Sequence, residues 1–434
     1  MTNKNIIALL WGLSVAAFAV SADTLSLDGY VKLVLQHNPQ PKIAAGAVQA
    51  SSAAREKSRS SLLPHVGANA GISRTGRSST SSGTGTNTYS AAAGNSSSAS
   101  IDAQALVFDF GKTPLQYKAS GKSLEAANYD LQNTLQTTVL NARTAYFNYL
   151  LSERLLTVNE DALKQAQVHY NQAKILYDVG KQAQIAVTKA NVDVANAQVN
   201  VIHARNTLKL ARVQLETIAG ITIADPLVFT DSLGGVEDSI TMNDALTRAL
   251  QKRPELLASK ARLEAVRLQL KSARAAYLPS INASAGYDWR NSSTSTLPAP
   301  DWNNPGWNIG AAFSLPLFQG GALHAGVRQA DAALKQAEAS LDATTLNVTQ
   351  EVQQNVLQEV EARERISATA VLVKQATESL RMSQERYRTG IATSIEITDA
   401  EVTLANARIS HVQAQFDYRV AYAKVLLAIG ALHE

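Results

Sequence analysis

The sequence predicts a mainly α-helical protein that carries a membrane β-barrel and contains one structural unit present twice. Three observations predict this fold class. The two halves of the chain align with each other. Each half contains a pair of short segments in which apolar and polar residues alternate, followed by a very long proline-free stretch rich in helix-forming residues.

The second half of the chain repeats the first at a nearly constant offset. Residues 25–39 align without gaps on residues 240–254, an offset of 215. Beyond the next polar loop the offset becomes 210 and keeps aromatic residues and glycines in register: Phe108 with Phe318, Gly111 with Gly321, Tyr177 with Tyr387, Gly180 with Gly390, and Gly220 with Gly430. A period this long excludes a solenoid of short repeats and indicates a duplicated structural unit.

The first 22 residues have the pattern of a secretory signal peptide. Lys4 precedes a short apolar run at residues 6–20, and small residues precede Asp23. A membrane helix needs about 20 apolar residues, and no other run in the chain is long enough. We therefore exclude residues 1–22 from the fold and expect any part that spans a membrane to consist of strands.

The remaining chain divides into two repeats joined by a linker. In each repeat, two shorter helices precede a β-hairpin and then a long helical hairpin. The predicted boundaries are residues 23–220 for the first repeat (β-hairpin about 62–108, helical hairpin about 112–220), 221–239 for the linker or equatorial segment, and 240–434 for the second repeat (β-hairpin about 279–318, helical hairpin about 321–430).

The hairpin segments alternate with a period of two, as in Ile281, Ala283, Ala285 and Tyr287 of the second repeat. Alternation alone slightly favours an ordinary half-buried antiparallel sheet over a membrane hairpin. Aromatic residues at both ends of the strands favour a membrane hairpin, because they suit the two bilayer interfaces. These aromatic residues are Trp289, Trp302 and Trp307 at the loop end and Phe108, Phe110, Phe313 and Phe318 at the opposite end. The Ser/Thr/Gly-rich residues 73–98 are expected to form an external loop.

Four strands cannot close a membrane barrel by themselves. Lipid tolerates no open sheet edge, and the smallest membrane barrels have eight strands. Two copies of the chain provide eight strands and three provide twelve, so the sequence predicts an oligomer.

The long helical stretches also indicate packing against neighbouring helices. A helix of about 65 residues is about 100 Å long, and its small apolar positions suit coiled packing against neighbours. A soluble coiled-coil rod is the alternative interpretation. Gly180 and Gly390 end these helices, so each long hairpin turns there.

No motif indicates an enzyme or a cofactor site. The chain contains no cysteine, its seven histidines are scattered without metal-ligand spacing, and no glycine-rich loop resembles a phosphate cradle. The formal charge of +4 comes from mixed acids and bases, which argues against nucleic acid as a partner. We predict no catalytic residues, no metal and no cofactor.

The order and spacing of these features resemble the TolC family of outer-membrane efflux and secretion proteins. The resemblance covers residues 25–430 and rests on the duplication, on the strand-to-helix junctions at 108–111 and 318–321, on residues 144–148 and on the two tip glycines. It implies a homotrimer in which a 12-stranded β-barrel continues as a long α-helical barrel.

The implied function is a passive exit duct of a tripartite efflux pump or a type I secretion system, gated at its periplasmic helix tips. The implied location is the cell outer membrane, with the helical part in the periplasm. The implied partners are a periplasmic adaptor (membrane fusion) protein, an inner-membrane RND or ABC transporter, and outer-membrane lipid. A stand-alone diffusion porin is the alternative, although it leaves the long helices without a role.

The resemblance also implies a gate at the second tip. Tyr387, Glu396 and Asp399 match the family's tyrosine and two acids, and the two acids, three residues apart, share one helix face. Threefold repetition would make a cation-favouring ring. The alternative is that both acids simply face solvent. The implied adaptor-docking residues are Val179, Gly180, Lys181, Thr389, Gly390 and Ile391.

Three positions depart from the family's gate. Ala392 replaces its arginine, Ala186 replaces its first-repeat aspartate, and Lys189 stands at the position equivalent to Asp399. The usual polar links cannot form here. We therefore expect a gate held differently or less firmly, with Lys189 pairing with an acid on a neighbouring helix.

Overall fold

The fold is taken from a computed structural model of the chain. It describes residues 25–83, 86–223, 229, 233–235, 240–293, 296–303, 305–389 and 391–432, with the backbone alone described for residues 77–93. The predicted signal peptide, most of the linker and Gly390 lie outside the described residues.

Within this part of the chain, the order of two shorter helices, two strands and two long helices occurs twice. The elements are α1 (Leu27–His37), α2 (Pro39–Ser60), β1 (His65–Gly83), β2 (Thr86–Phe108), α3 (Lys112–Asp178), α4 (Gln184–Ala219), α5 (Met242–Lys252), α6 (Pro254–Ala275), β3 (Ser280–Ser293), β4 (Pro305–Ser314), α7 (Ala322–Arg388) and α8 (Ser394–Ala428). The helices α3 and α7 each contain 67 residues.

Local signals explain where the shorter helices begin. The Ser26 hydroxyl caps α1 by accepting from the Gly29 N–H at 3.2 Å, and Thr241 caps α5 in the same way. The next helices begin at Pro39 and Pro254, where proline has no N–H to leave unpaired. The same start signals thus occur in both repeats.

The four strands form one antiparallel sheet in the order β1-β2-β3-β4. The pairing of β1 with β2 continues from His65↔Gln104 to Gly83↔Thr86. The expectation of a loop over residues 73–98 is therefore wrong: residues 73–83 and 86–98 are paired strand. Ladder hydrogen bonds use only backbone groups, so a segment rich in Ser, Thr and small residues can extend the hairpin.

The register aligns the apolar positions of all four strands. In one row Ala68 pairs with Ile101, Ile101 with Tyr287, and Tyr287 with Trp307. The neighbouring residues, such as Asp102 and Gly286, alternate to the other side. Directly paired residues point to the same face of a sheet, so one face is apolar across all four strands. This confirms the predicted alternation.

The chain packs into two compact units, and each draws on both repeats. The first unit comprises Met1–Ile43, Asn133–Arg253 and Val348–Glu434; the second comprises Ala44–Gln132 and Pro254–Asn347 and includes the sheet. In the first unit, the Tyr30 hydroxyl donates to the Leu215 carbonyl at 2.7 Å, and the Tyr146 ring packs 4.9 Å from Phe229. None of the helices described has an apolar stretch long enough to cross a membrane.

Two glycines with positive φ close the long hairpins against the shorter helices. Gly220 (φ +71°) ends α4 against the His37 carbonyl, and Gly430 (φ +72°) ends α8 against the Lys252 carbonyl. A Cβ at Gly430 would stand 3.0 Å from that carbonyl oxygen. Only glycine fits both the backbone conformation and the space.

We predict that Gly430→Ala destabilises the helical part by about 1–3 kcal/mol, because it adds a strained backbone conformation and a backbone overlap. The measurement is thermal unfolding followed by far-UV circular dichroism. Gly326→Ala is the matched control: Gly326 lies inside α7 with nothing near its missing Cβ, so alanine there should be neutral or stabilising. Equal midpoints for the two variants would contradict the close packing at Gly430.

Candidate functional site at the helix tips

The chain reverses direction between α3 and α4 in a tight turn closed by glycine. Gly180 has a φ of +72°, and its N–H donates to the Tyr177 carbonyl at 2.8 Å. The Lys181 N–H donates to the Leu176 carbonyl at 2.8 Å. These two bonds satisfy two carbonyls of the last turn of α3, and the positive φ favours a residue without a Cβ.

The second reversal, between α7 and α8, has similar bonds. The Ile391 N–H and the Thr389 hydroxyl both donate to the Arg386 carbonyl at 2.9 Å. Val179 and Ile391 are 61% and 69% exposed, and Lys181 and Thr389 are also exposed. Each tip therefore presents an apolar side chain to its surroundings.

The two tip tyrosines, equivalent in the duplication, have different environments. Tyr177 is 42% exposed, whereas Tyr387 is 6% exposed and packs with Ala392 and Ile397 of the second tip and Leu176 of the first. Burial raises the pKa of Tyr387, with a smaller opposing effect from Gln182. Tyr387 is thus a contact between the two helical hairpins of one chain.

Polar groups surround this contact. The His169 ring lies 5.5 Å from the Tyr387 ring, and its Nε2 lies 3.0 Å from the Ser394 hydroxyl. Burial lowers the pKa of His169, and Asp193 opposes that effect. Among the described residues, His169 Nδ1, the Tyr387 hydroxyl and Gln182 Oε1 are buried without a hydrogen bond of regular geometry. The contact joins α3 and α8 by a polar link that is only partly satisfied.

Deeper along the same helices, α3, α4, α7 and α8 line a cavity of about 210 Å³ with both polar and apolar side chains. The Thr398 hydroxyl donates to the Asp193 carboxylate at 3.1 Å, which joins α8 to α4. Glu401 and Asn196 also line the cavity. Burial first, and then the charge of Asp193, raise the pKa of Glu401 to about 7.

The predicted gate residues have separate surroundings within one chain. The Glu396 N–H is capped by Thr393, and the Glu396 carboxylate lies 3.7 Å from an Arg386 Nη. Asp399 and Lys189 are exposed, and neither forms an ion pair with any residue that the structure describes. The pairing expected for Lys189 is therefore not made inside one chain, and the ring of acids stays a prediction.

The predicted interface aromatics lie at two levels of the sheet. Trp289 and Trp302 are in ring contact at 5.2 Å at the loop end. Phe108 and Phe313 both pair with Ile281 at the opposite end of the strands. Trp307 and Phe313 are six residues apart in β4, about 20 Å at 3.3 Å per residue. The second group also includes Phe110, in ring contact with Phe108 at 4.7 Å, and the exposed Phe318.

The sequence profile of the outer membrane efflux protein family (OEP) matches two stretches, residues 30–221 and 245–431. The chain belongs to this family. The two matched stretches begin 215 residues apart and end 210 residues apart, the same offsets as those of the internal duplication. The family thus accounts for nearly the whole chain outside the N-terminal segment and the linker.

Individual relatives agree with the family assignment. The chain is 27% identical over 442 residues to "Outer membrane protein TolC" of Escherichia coli (strain K12), covering 99% of this chain and 87% of the relative. It is 23% identical over 442 residues to "Alkaline protease secretion protein AprF" of Pseudomonas aeruginosa, covering 100% and 90%. The crystal structure of the Campylobacter jejuni CmeC outer membrane channel has the same fold, with a TM-score of 0.80 at 20% identity, covering 93% of this chain and 85% of that one.

Several residues of the tip of this efflux-family protein were missed by the sequence reasoning. His169, Ser394, Asp193, Thr398 and Glu401 come from three helices and share no local motif. The offset of 210 gives no signal either, because it pairs Asp193 with Thr403 and Glu401 with Asn191. Their proximity depends on how the two hairpins pack.

The raised pKa of Glu401 predicts a pH dependence of local stability. The folded chain holds this proton up to a pH of about 7, whereas the ordinary value is 4.5. Raising the pH from 4.5 to 7 therefore lowers the free energy of local opening, by at most about 1.4 kcal/mol per pH unit. Glu401→Gln should abolish this loss, so its stability advantage over the parent chain should grow between pH 5 and 8.

The measurement is hydrogen–deuterium exchange of the α8 amides around Thr398, corrected for intrinsic exchange rates. Titration of His169 is common to both proteins and largely cancels in their difference. Asn196→Ala alters the same cavity without a charge change and should give a difference independent of pH. A difference between Glu401→Gln and the parent that stays constant across this range would show that Glu401 does not hold the extra proton.

Proposed function

We propose that this chain is the outer-membrane exit duct of a tripartite efflux pump or a type I secretion system. The observation that carries the proposal is the sheet: one face is apolar across four strands, and β1 and β4 each pair on one side only within the described chain. Such a sheet is stable in lipid only if further strands pair with its two edges.

A homotrimer is the assembly we propose for this closure. Three copies give a 12-stranded barrel, within the range of membrane barrels, and the same threefold arrangement would bring the helical hairpins together as one α-barrel. On α4, the exposed apolar residues Ile185, Val192 and Val199 recur every seven residues. This spacing suits coiled packing against a neighbouring helix.

The proposed location is the cell outer membrane, with the helical part in the periplasm. The aromatic residues at the two sheet levels would meet the two lipid interfaces of such a barrel. The duct would be passive, so the energy for transport would come from an inner-membrane RND or ABC transporter reached through a periplasmic adaptor.

The tips are the proposed adaptor site and gate. Val179 and Ile391 are the exposed apolar anchors, with Gly180, Lys181, Thr389 and Gly390 beside them. Tyr387, Glu396, Asp399 and Lys189 would narrow the entrance of the trimer. In one chain the hairpins are held by Tyr387 with His169 and by Asp193 with Thr398. These links form although alanine, at position 392, replaces the family's gate arginine. This supports a gate that is held by other contacts than those usual in the family.

A diffusion porin is the second candidate, and tip variants separate the two. Val179→Asp together with Ile391→Asp places charges on both apolar anchors. If the tips dock an adaptor, this variant should lose most partner-dependent transport in cells, while trimer yield and single-channel conductance remain. Leu297→Asp, an exposed apolar residue in the β3–β4 loop, is the matched control and should keep transport. Undiminished transport by the tip variant would favour the porin.

The gate proposal predicts cation selectivity. Glu396→Gln together with Asp399→Asn should lower the cation-over-anion permeability ratio in planar bilayers several-fold, because a ring of carboxylates would be neutralised. Glu385→Gln removes an exposed acid of the same tip that pairs with Arg388 at 3.4 Å, and serves as the control. If the permeability ratio of the double variant equals that of the parent, the two acids do not line the entrance.

A further inference from the structure

The charged residues next to the sheet are strongly asymmetric in sign. Residues 53–65, 109–122, 267–280 and 315–328 adjoin one end of the four strands. Together they contain ten Lys and Arg but only two acids, a balance of +8, whereas the whole chain has a formal charge of +4. The rest of the chain is therefore net acidic. The excess of positive charge is concentrated beside the strands.

All four segments adjoin the strands at the same end of the sheet. The starts of β1 and β3 lie beside the ends of β2 and β4, as the pairs His65↔Gln104, Phe108↔Ile281 and Ser280↔Ser314 show. The helices α2, α3, α6 and α7 therefore all join the strands at the end of the sheet where the phenylalanine residues lie. The second unit contains this whole region.

Most of these cations are not neutralised. Lys122 pairs with Glu125 at 2.7 Å, and Arg267 pairs with Glu264 at 2.7 Å. The other eight are exposed and form no ion pair with the residues described: Arg55, Lys57, Arg59, Lys112, Lys118, Lys271, Arg274 and Arg328. We call these eight residues the basic collar.

The two acids do not offset the basic collar. Asp109 is buried and accepts from the Gly111 N–H at 3.2 Å and the Thr113 N–H at 2.7 Å, so its charge serves the strand-to-helix junction. Glu56 is the single exposed acid of the four segments. The four segments themselves therefore lack the mixture of signs found on an ordinary solvated face.

Part of the basic collar forms a cleft. The Arg55 guanidinium lies 5.2 Å from the centre of the Tyr117 ring. Both line a cleft of about 400 Å³ together with Lys118, Leu268 and the Lys122–Glu125 ion pair. Because Lys122 is paired with Glu125, Arg55 and Lys118 are the collar cations of this cleft, and beside Leu268 they suit a phosphate ester attached to a less polar group.

We propose that the basic collar binds the anionic headgroups of phospholipids in the leaflet that faces the helices. The inference rests on the proposed function, because it needs the sheet to lie in lipid. Headgroups occupy about 5–8 Å beyond the hydrocarbon on each side. Lys112 begins α3 and Arg274 is the penultimate residue of α6. Their long basic side chains therefore lie next to the strand ends that carry the phenylalanine residues, where the lipid headgroups would be.

The experiment measures lipid selectivity of the full-length mature protein reconstituted in phosphatidylcholine membranes. Spin-labelled phosphatidylglycerol and spin-labelled phosphatidylcholine report the relative association constant at the protein surface. We expect a clear preference for phosphatidylglycerol that weakens with salt. Lys57→Gln, Arg59→Gln and Lys118→Gln combined should lower the preference about tenfold, toward none, since each cation near an anionic surface contributes favourably. Added inorganic phosphate should not displace the lipid.

The matched control is Lys164→Gln, Lys174→Gln and Lys209→Gln, three exposed lysines of the first unit. It changes the net charge equally and should retain the preference. An equal preference in all three proteins would overturn the proposal, as would a variant that alters ion selectivity and leaves lipid selectivity unchanged, because the collar would then face the pore. A protein that neither inserts nor conducts would instead refute the proposed function.

Discussion

The structure depends on one constraint: the backbone groups at the edges of a lipid-facing sheet need hydrogen-bond partners. The register makes one face apolar across β1, β2, β3 and β4, while the outer edges of β1 and β4 have no partner within the described chain. In water an unpaired sheet edge promotes aggregation, which charged residues or prolines on the edge strand reduce. In lipid it is intolerable. Association of several chains follows from this requirement.

The duplication makes the same construction available twice. Both repeats begin with a capped helix followed by a helix that starts at proline, and both long hairpins end at a glycine packed on the preceding short helix. The compact units nevertheless combine segments of both repeats. The repeats are therefore equivalent in sequence order, and the core of each unit comes from their packing together.

The fold was largely predictable because its signals are local and repeated. The alternation of Ile281, Ala283 and Ala285 specifies a strand, the glycines specify turns, and the long stretches without proline after Pro114 and Pro316 specify helices. The paired strands over residues 73–83 and 86–98 were missed, because Ser and Thr runs carry no pattern that separates an extended hairpin from a loop. The family confirms the class of protein that the pattern indicated.

The site was less predictable, because it departs from the duplication. Tyr387 is buried whereas Tyr177 is exposed, and the groups that hold Tyr387 come from helices distant in sequence. Polar residues such as the buried His169 and the half-buried Glu401 give no periodic signal. The basic collar, by contrast, can be recognised once the strand order is known, because the topology brings the four segments to one end of the sheet. Their excess of positive charge is already present in the sequence.

The most direct test of the account is a disulfide between the two open edges of neighbouring chains. The protein has no cysteine, so single cysteines at Val66, Ala68 or Ala70 of β1 can be combined with one at Ile309 of β4 and oxidised with copper phenanthroline in the membrane. The account predicts that one combination yields a covalent trimer on denaturing gels, while each single-cysteine variant gives at most a dimer. Monomers from every combination, with the protein inserted in lipid, would contradict closure of the barrel by copies of the same chain.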